Sequence, residues 1–265
     1  MPLFFFISGF LYNPLKYSIR EFISKRSKTI LIPSIYFTII VATLAYFLID
    51  YDFKELTYRL PWALWFLPVL FMTEVFVRLI NNKYILIGFI IFGPIISFFL
   101  QNHNIELPYS ISVVPTAMSF YIFGHEIRTR GLEKIVSNKI VITGYLISLL
   151  FVVYGNIRIA MVDNYMKPLL LAYITAVIGI FSTLSLSNII SSKNNLLKDI
   201  LIFLGTNTLI IMCLQQLFLN ISDYYIRPIV PWFIFYKILQ QVFVWSLAYL
   251  SIKIINKRFS FLIGK

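Results

Sequence analysis

The stretch ILIPSIYFTIIVATLAYFLI at residues 30–49 carries no charged side chain and lies between the basic segment SKRSK at 24–28 and Asp50. Its length matches the roughly 20 residues that a helix needs to cross a hydrocarbon core about 30 Å thick. Because lipid cannot hydrogen-bond the backbone, an apolar segment of this length in a membrane must be helical. The stretch therefore predicts a membrane-spanning helix.

The same pattern recurs along the chain. Further apolar blocks lie at 61–80, 84–100, 109–124, 139–156, 168–187, 199–221 and 231–255, and a shorter one lies at 2–12. The hydrophobic share of 59% exceeds that of an ordinary soluble domain. We predict an all-α fold, a polytopic transmembrane helical bundle of about eight full spans plus an N-terminal partial helix. No linker divides the chain, so residues 1–265 are expected to form a single membrane domain.

The charges are distributed unevenly between the loops. The chain has 23 Lys and Arg residues against 11 Asp and Glu. If the loop at 13–29 is cytoplasmic and the loops alternate, most of the basic residues fall on the cytoplasmic side. The positive-inside rule then predicts a multi-pass protein of the cytoplasmic (inner) membrane with a cytoplasmic C-terminus. The same rule explains the net charge without a nucleic-acid partner, and the single cysteine, Cys213, allows no intrachain disulfide and no cysteine-based metal site.

Five motifs along the chain carry a family resemblance. They are MPLFFFISGF at 1–10 with the following FISKRSKTILIP at 22–33, WFLPVLF at 65–71, AMSFYIFG at 117–124, the loop from Gly155 to Leu170, and FLGTNTLIIMCLQ at 203–215. In this order they resemble the acyltransferase 3 family, the membrane O-acyltransferases of the fucose and glycan O-acetyltransferase type.

The resemblance implies a reaction. Family members transfer an acetyl group from acetyl-CoA, with no bound cofactor, to a hydroxyl of a glycan or lipid-linked sugar, and so acetylate polysaccharide or lipopolysaccharide. The family's catalytic histidine belongs to a helix that would lie upstream of Met1, and a late-helix histidine position holds Gln215. The chain thus resembles an N-terminally truncated member. It is expected to lack activity in this form, and its catalytic residues are unknown.

The resemblance also implies binding residues. For the acyl donor they are Arg26, which matches the family arginine, with Lys25 and Lys28, although the lysines also suit simple positive-inside anchoring. For the acceptor sugar they are Trp65, Glu74, Asn164, Tyr165, Asn207 and Gln215.

Structural roles compete with several of these. Glu74 precedes Arg78 by four residues, the favourable spacing for an intrahelical pair. Gln215 lies at a depth from which it can bond Gln240 of the next span, and Asn164 suits an ordinary turn. His125 is the one histidine close to a predicted span, where it starts a charged loop.

Two other functions remain open. The chain can be a non-catalytic remnant that keeps the scaffold, or a polytopic carrier or flippase of glycan precursors. Carriers often show broken helices at matching positions of two halves, and the sequence shows no convincing pair of this kind.

Overall fold

The computed structural model describes residues 1–14, 17–80, 82–105, 107–131, 139–154, 157–192 and 195–264. These residues form eleven α-helices and one short hairpin. The helices are α1 (Pro2–Phe10), α2 (Ile19–Arg26), α3 (Ile32–Ile49), α4 (Phe66–Leu79), α5 (Lys83–Asn102), α6 (Val114–Thr129), α7 (Lys139–Tyr154), α8 (Leu169–Ser191), α9 (Leu196–Thr206), α10 (Thr208–Tyr225) and α11 (Phe233–Arg258). The strands β1 (Arg158–Ala160) and β2 (Tyr165–Lys167) pair antiparallel. The nearly all-α fold predicted from the sequence is confirmed.

Within the described part of the chain, five helical segments are long and apolar enough to cross a membrane. They are Ile19–Ile49, Trp62–Leu79, Lys83–Asn102, Leu169–Ser191 and Phe233–Arg258. A sixth arises if α9 and α10, which meet at an angle of 81°, count as one broken span. The N-terminal block forms only the nine-residue helix α1, as the predicted partial helix requires.

The count of about eight full spans is not confirmed, because two of the apolar blocks give shorter helices. The block at 109–124 begins with a 3₁₀ segment, Pro108–Val113, in which Tyr109 and Ser110 have positive φ, and α6 then runs for 16 residues. The block at 139–156 gives α7, also of 16 residues. Over the residues that the structure describes, both are below the roughly 20 residues expected of a spanning helix.

The chain divides into two compact units. The first unit comprises Met1–Ile23 and Val69–Lys198, and the second comprises Ser24–Pro68 and Asp199–Lys265. In the first unit α6 packs against both α1 and α5, while α7 packs against α8. In the second unit α10 packs against α3 and α11. That the whole chain is one membrane domain stays a prediction.

Glycines set the closest helix contacts of the first unit. A Cβ at Gly9 of α1 would lie 1.8 Å from the carbonyl oxygen of Tyr121, and a Cβ at Gly124 of α6 would lie 2.1 Å from that of Phe6. Small residues of this kind let membrane helices approach until their backbones touch. The contact between α1 and α6 therefore depends on two residues that lack a side chain.

Candidate functional site

The predicted donor residues lie where α2 passes into α3. Lys25 and Arg26 occupy the last turn of α2, and Lys28 belongs to a π-helical segment, Ser27–Leu31, in which the Ile32 N–H donates to the Ser27 carbonyl. Pro33 follows in the first turn of α3. Lys25 and Lys28 are exposed and Arg26 is half-buried. The segment thus presents two solvated ammonium groups and one partly enclosed guanidinium.

The C-terminal segment brings a second set of cations to the same end of the second unit. After α11 a 3₁₀ turn, Ser260–Ile263, packs against both α3 and α11. The ring centroids of Phe261 and Tyr36 lie 5.7 Å apart. Gly264 has a φ of +71°, and a Cβ there would lie 2.6 Å from the carbonyl oxygen of Lys28. The end of α11, with Lys257 and Arg258 in its last turn, therefore lies at the same end of this unit as Lys28.

We call this group of cations the basic end. It consists of Lys25, Arg26 and Lys28 from the start of the second unit, and Lys253, Lys257 and Arg258 from α11.

A cleft opens beside the basic end. Its volume is about 360 Å³, and it is lined by Phe203, Tyr249, Ile252, Lys253, Asn256 and Lys257. We call it the α11 cleft, since all of its lining except Phe203 comes from α11. Lys253 and Lys257 are among the basic residues that the positive-inside rule assigns to the cytoplasmic side. The sequence did contain one indication of this cleft. Tyr249, Lys253 and Asn256 are spaced at i, i+4 and i+7, which places all three on one helix face.

Asn207 lies at the bend between α9 and α10. Its side-chain amide donates to the Phe203 carbonyl at 2.8 Å, and its Oδ1 accepts from Nδ2 of Asn256 at 2.7 Å. The residue is buried. Asn207 therefore connects α9 to α11 next to the α11 cleft.

The two other acceptor candidates of the second unit lie apart from the α11 cleft lining. Trp65 ends a 3₁₀ turn, Trp62–Trp65, and is buried at 4% exposure. Its neighbour Trp62 is half-buried with its ring 5.6 Å from that of Tyr51. Gln215 is half-buried in the middle of α10.

The predicted partner of Gln240 is wrong. Gln240 does link α11 to α10, but Nε2 donates to Asp223 Oδ1 at 3.2 Å and to the Tyr236 hydroxyl at 2.7 Å, rather than to Gln215. The Tyr236 hydroxyl also donates to Asp223, and Lys237 Nζ donates to Gln240 Oε1 at 2.8 Å. The prediction compared only the depths of the two glutamines along ideal helices. It did not consider that the Asp223 carboxylate, near the end of α10, is a stronger acceptor than the Gln215 amide.

The first unit holds the remaining acceptor candidates. Glu74 is buried in α4, and Nη2 of Arg78 donates to the Tyr17 carbonyl at 2.8 Å. Asn164 lies in the turn between β1 and β2 with a φ of 54°, and its amide donates to the Ser97 carbonyl of α5 at 2.6 Å. Asn164 thus has a turn-forming and hairpin-docking role.

Tyr165 and His125 also lie in the first unit. Tyr165 is half-buried, and Lys167 Nζ lies 5.5 Å from the centre of its ring. His125 is half-buried near the end of α6, with its ring 5.4 Å from that of Tyr12 and no hydrogen-bond partner for Nδ1 among the described residues.

Comparison of the sequence with models of protein families identifies the family of this chain. The model Acyl_transf_3, described as an acyltransferase domain, matches residues 1–254. The chain belongs to the acyltransferase 3 family. Searches of curated proteins and of solved structures give no significant match.

Family membership gives the motifs of this acyltransferase a structural meaning. MPLFFFISGF forms α1 and AMSFYIFG lies within α6, and their glycines, Gly9 and Gly124, make the contact between those helices. FLGTNTLIIMCLQ spans the bend that holds Asn207. The acyltransferase 3 motifs thus mark a helix interface and a helix break.

Proposed function

We propose that this membrane acyltransferase transfers an acetyl group from acetyl-CoA to a hydroxyl of a surface-glycan sugar, carried on polysaccharide, lipopolysaccharide or a lipid-linked precursor. The observation that supports this most is the basic end, where Arg26 lies with five further cations. Coenzyme A carries phosphate groups, and Arg and Lys side chains bind phosphate through short charge-assisted hydrogen bonds.

The proposal includes a topology. We place the chain in the cytoplasmic membrane, with about eight membrane-crossing segments and a cytoplasmic C-terminus, because the charge distribution follows the positive-inside rule. The basic end includes residues close to the C-terminus, so it faces the compartment that supplies acetyl-CoA.

The reaction is an acyl transfer between sulfur and oxygen. The sugar hydroxyl oxygen attacks the thioester carbonyl carbon while a base takes its proton, and the tetrahedral oxyanion then expels the coenzyme A thiolate, which is protonated as it leaves. The C–O bond forms and the C–S bond breaks, so no oxidant or reductant is needed. A general base contributes about 10²–10⁴-fold to such a step, and hydrogen-bond donors directed at the oxyanion contribute further.

The acceptor candidates differ in accessibility. Gln215 and Tyr165 keep part of their side chains accessible, whereas Trp65, Glu74, Asn164 and Asn207 are buried. A sugar ring is recognised by hydrogen bonds to its hydroxyls and by contact with an aromatic face. Gln215 supplies the first kind of contact, so it is the residue of the second unit that we assign to sugar binding. Tyr165 offers an aromatic face in the first unit.

The test is glycan acetylation in cells. The protein is expressed in a bacterial strain that lacks O-acetylation of its own, and base-labile acetyl esters on the surface glycan are measured against an empty-vector control. The resemblance alone implied a chain without activity, whereas the proposed function predicts that esters appear with the protein. Glycan without esters in cells that contain the folded protein would favour a non-catalytic remnant. Increased transport of glycan precursors in the absence of esters would favour a carrier.

A further inference from the structure

The α11 cleft collects cations on one face of a helix. Tyr249, Lys253, Asn256 and Lys257 are spaced at i, i+4, i+7 and i+8, so their side chains extend from the same side of α11. Phe203 of α9 also lines the cleft. Both lysines are exposed, and among the described residues neither one forms an ion pair with a carboxylate. Two ammonium groups one helical turn apart repel each other, and an anion bound between them would remove that repulsion.

Two aromatic rings border the same cations. The rings of Phe203 and Tyr249 have centroids 6.2 Å apart with 47° between their planes, and the residues are 40% and 56% exposed. Exposed aromatic faces next to a phosphate-binding group are the combination on which nucleic-acid bases stack. Lysine and tyrosine near a helix end also suit anchoring at the membrane interface. Anchoring requires no contact with a second helix, whereas here the Phe203 ring of α9 lies against the Tyr249 ring of α11.

Asn207, at the bend between α9 and α10, links the two helices that line the cleft. Asn207 bonds the backbone of Phe203 with its amide and the side chain of Asn256 with its carbonyl oxygen. One buried residue of the family motif therefore connects a lining residue of α9 with a lining residue of α11. This gives Asn207 a positioning role, in place of the direct sugar contact implied by the family resemblance.

We propose that the α11 cleft binds the adenine nucleotide portion of the acyl donor, with Lys253 and Lys257 on its phosphates and the rings of Phe203 and Tyr249 against its adenine. The inference rests on the proposed function and extends it, because it adds a second group of donor-binding residues to Arg26 at the basic end. The donor is then held at one end of the second unit by Arg26, near the start of that unit's sequence, and by Lys253 and Lys257, near its end.

The experiment is a titration of the purified full chain in nanodiscs of phosphatidylcholine, a neutral lipid. Coenzyme A, adenosine 3′,5′-bisphosphate and inorganic pyrophosphate are the probes, and calorimetry measures their affinities. We expect the Lys253→Gln, Lys257→Gln double variant to bind coenzyme A and the bisphosphate at least tenfold more weakly than wild type. We expect Tyr249→Leu to weaken both nucleotides while leaving pyrophosphate binding unchanged. Lys83→Gln, which removes an exposed cation of the first unit, is the matched control and is expected to bind as wild type does.

The outcomes separate the two proposals. A folded double variant with wild-type affinity for both nucleotides overturns the cleft assignment, while donor binding through Arg26 stands. A wild-type chain that binds no coenzyme A overturns the proposed function and the cleft assignment with it. If the double substitution instead abolishes binding of phosphatidylglycerol added to the nanodiscs and leaves nucleotide affinity unchanged, the cleft is a lipid-headgroup site and the proposal is wrong.

Discussion

The Gly124→Ala substitution is expected to lower the stability of the first unit by about 3 kcal/mol, a large effect for one methyl group. A Cβ at this position would lie 2.1 Å from the Phe6 carbonyl oxygen and 3.0 Å from the Phe10 backbone nitrogen. Both are backbone atoms of α1, so no side-chain rotation relieves the overlap. The helices must separate, and the apolar contacts between them are lost. Gly9→Ala is expected to act in the same way, since its Cβ would lie 1.8 Å from the Tyr121 carbonyl oxygen.

Gly179→Ala in α8 is the matched control. Nothing lies within 4 Å of a Cβ at Gly179, and alanine favours a helix over glycine by up to about 1 kcal/mol. Thermal unfolding in detergent, followed by size-exclusion chromatography, should therefore show a lower melting temperature for Gly124→Ala than for the wild type. Gly179→Ala should show no decrease. If Gly124→Ala has the same melting temperature as the wild type, α1 and α6 do not pack as described.

The Arg26→Ala substitution is expected to weaken acetyl-CoA binding by about 10- to 100-fold. The guanidinium is half-buried, and a hydrogen bond to a charged group contributes about 1.5–3 kcal/mol, where each 1.4 kcal/mol corresponds to a factor of ten. Arg26→Lys keeps the charge but removes the planar fork that bonds phosphate twice. We therefore expect its affinity to fall between those of the wild type and Arg26→Ala.

Lys83→Ala is the control for charge alone, because it removes one cation from the start of α5 in the first unit. Calorimetry with acetyl-CoA on the purified variants gives the comparison. If Arg26→Ala and Lys83→Ala lose equal affinity, the cations at the end of α2 serve topology and have no donor-binding role.

The sequence predicted the nearly all-α fold because the thickness of the hydrocarbon core fixes the length of an apolar block. It did not predict the bend at Asn207. The residues on both sides are apolar, and hydropathy averaged over them is the same for a straight helix and a bent one. It also overestimated the length of the helix in the block at 109–124, because the backbone turns at Tyr109 and Ser110 before α6 begins. Local backbone geometry of this kind leaves little trace in composition.

The candidate site was predicted only in part. Lys25, Arg26 and Lys28 stand out because they interrupt an apolar sequence. Lys253 and Lys257 do not, because a lysine near the end of a membrane helix is expected as an interfacial anchor. The role that we propose for them depends on the folding of the chain, which brings Phe203 to the same cleft and packs Gly264 against Lys28. Contacts between residues so distant in sequence cannot be derived from spacing along one helix.

The measurement that most directly tests the central claim is acetyl transfer by the purified protein in proteoliposomes. Acetyl-CoA labelled on the acetyl group is supplied with a surface-glycan acceptor, and free thiol and labelled glycan ester are measured together. The account predicts that thiol and ester appear in equal amounts, and that Arg26→Ala slows both at a fixed low concentration of acetyl-CoA. Folded protein that yields neither product, or thiol without ester, would contradict the assignment of this chain as a glycan O-acetyltransferase.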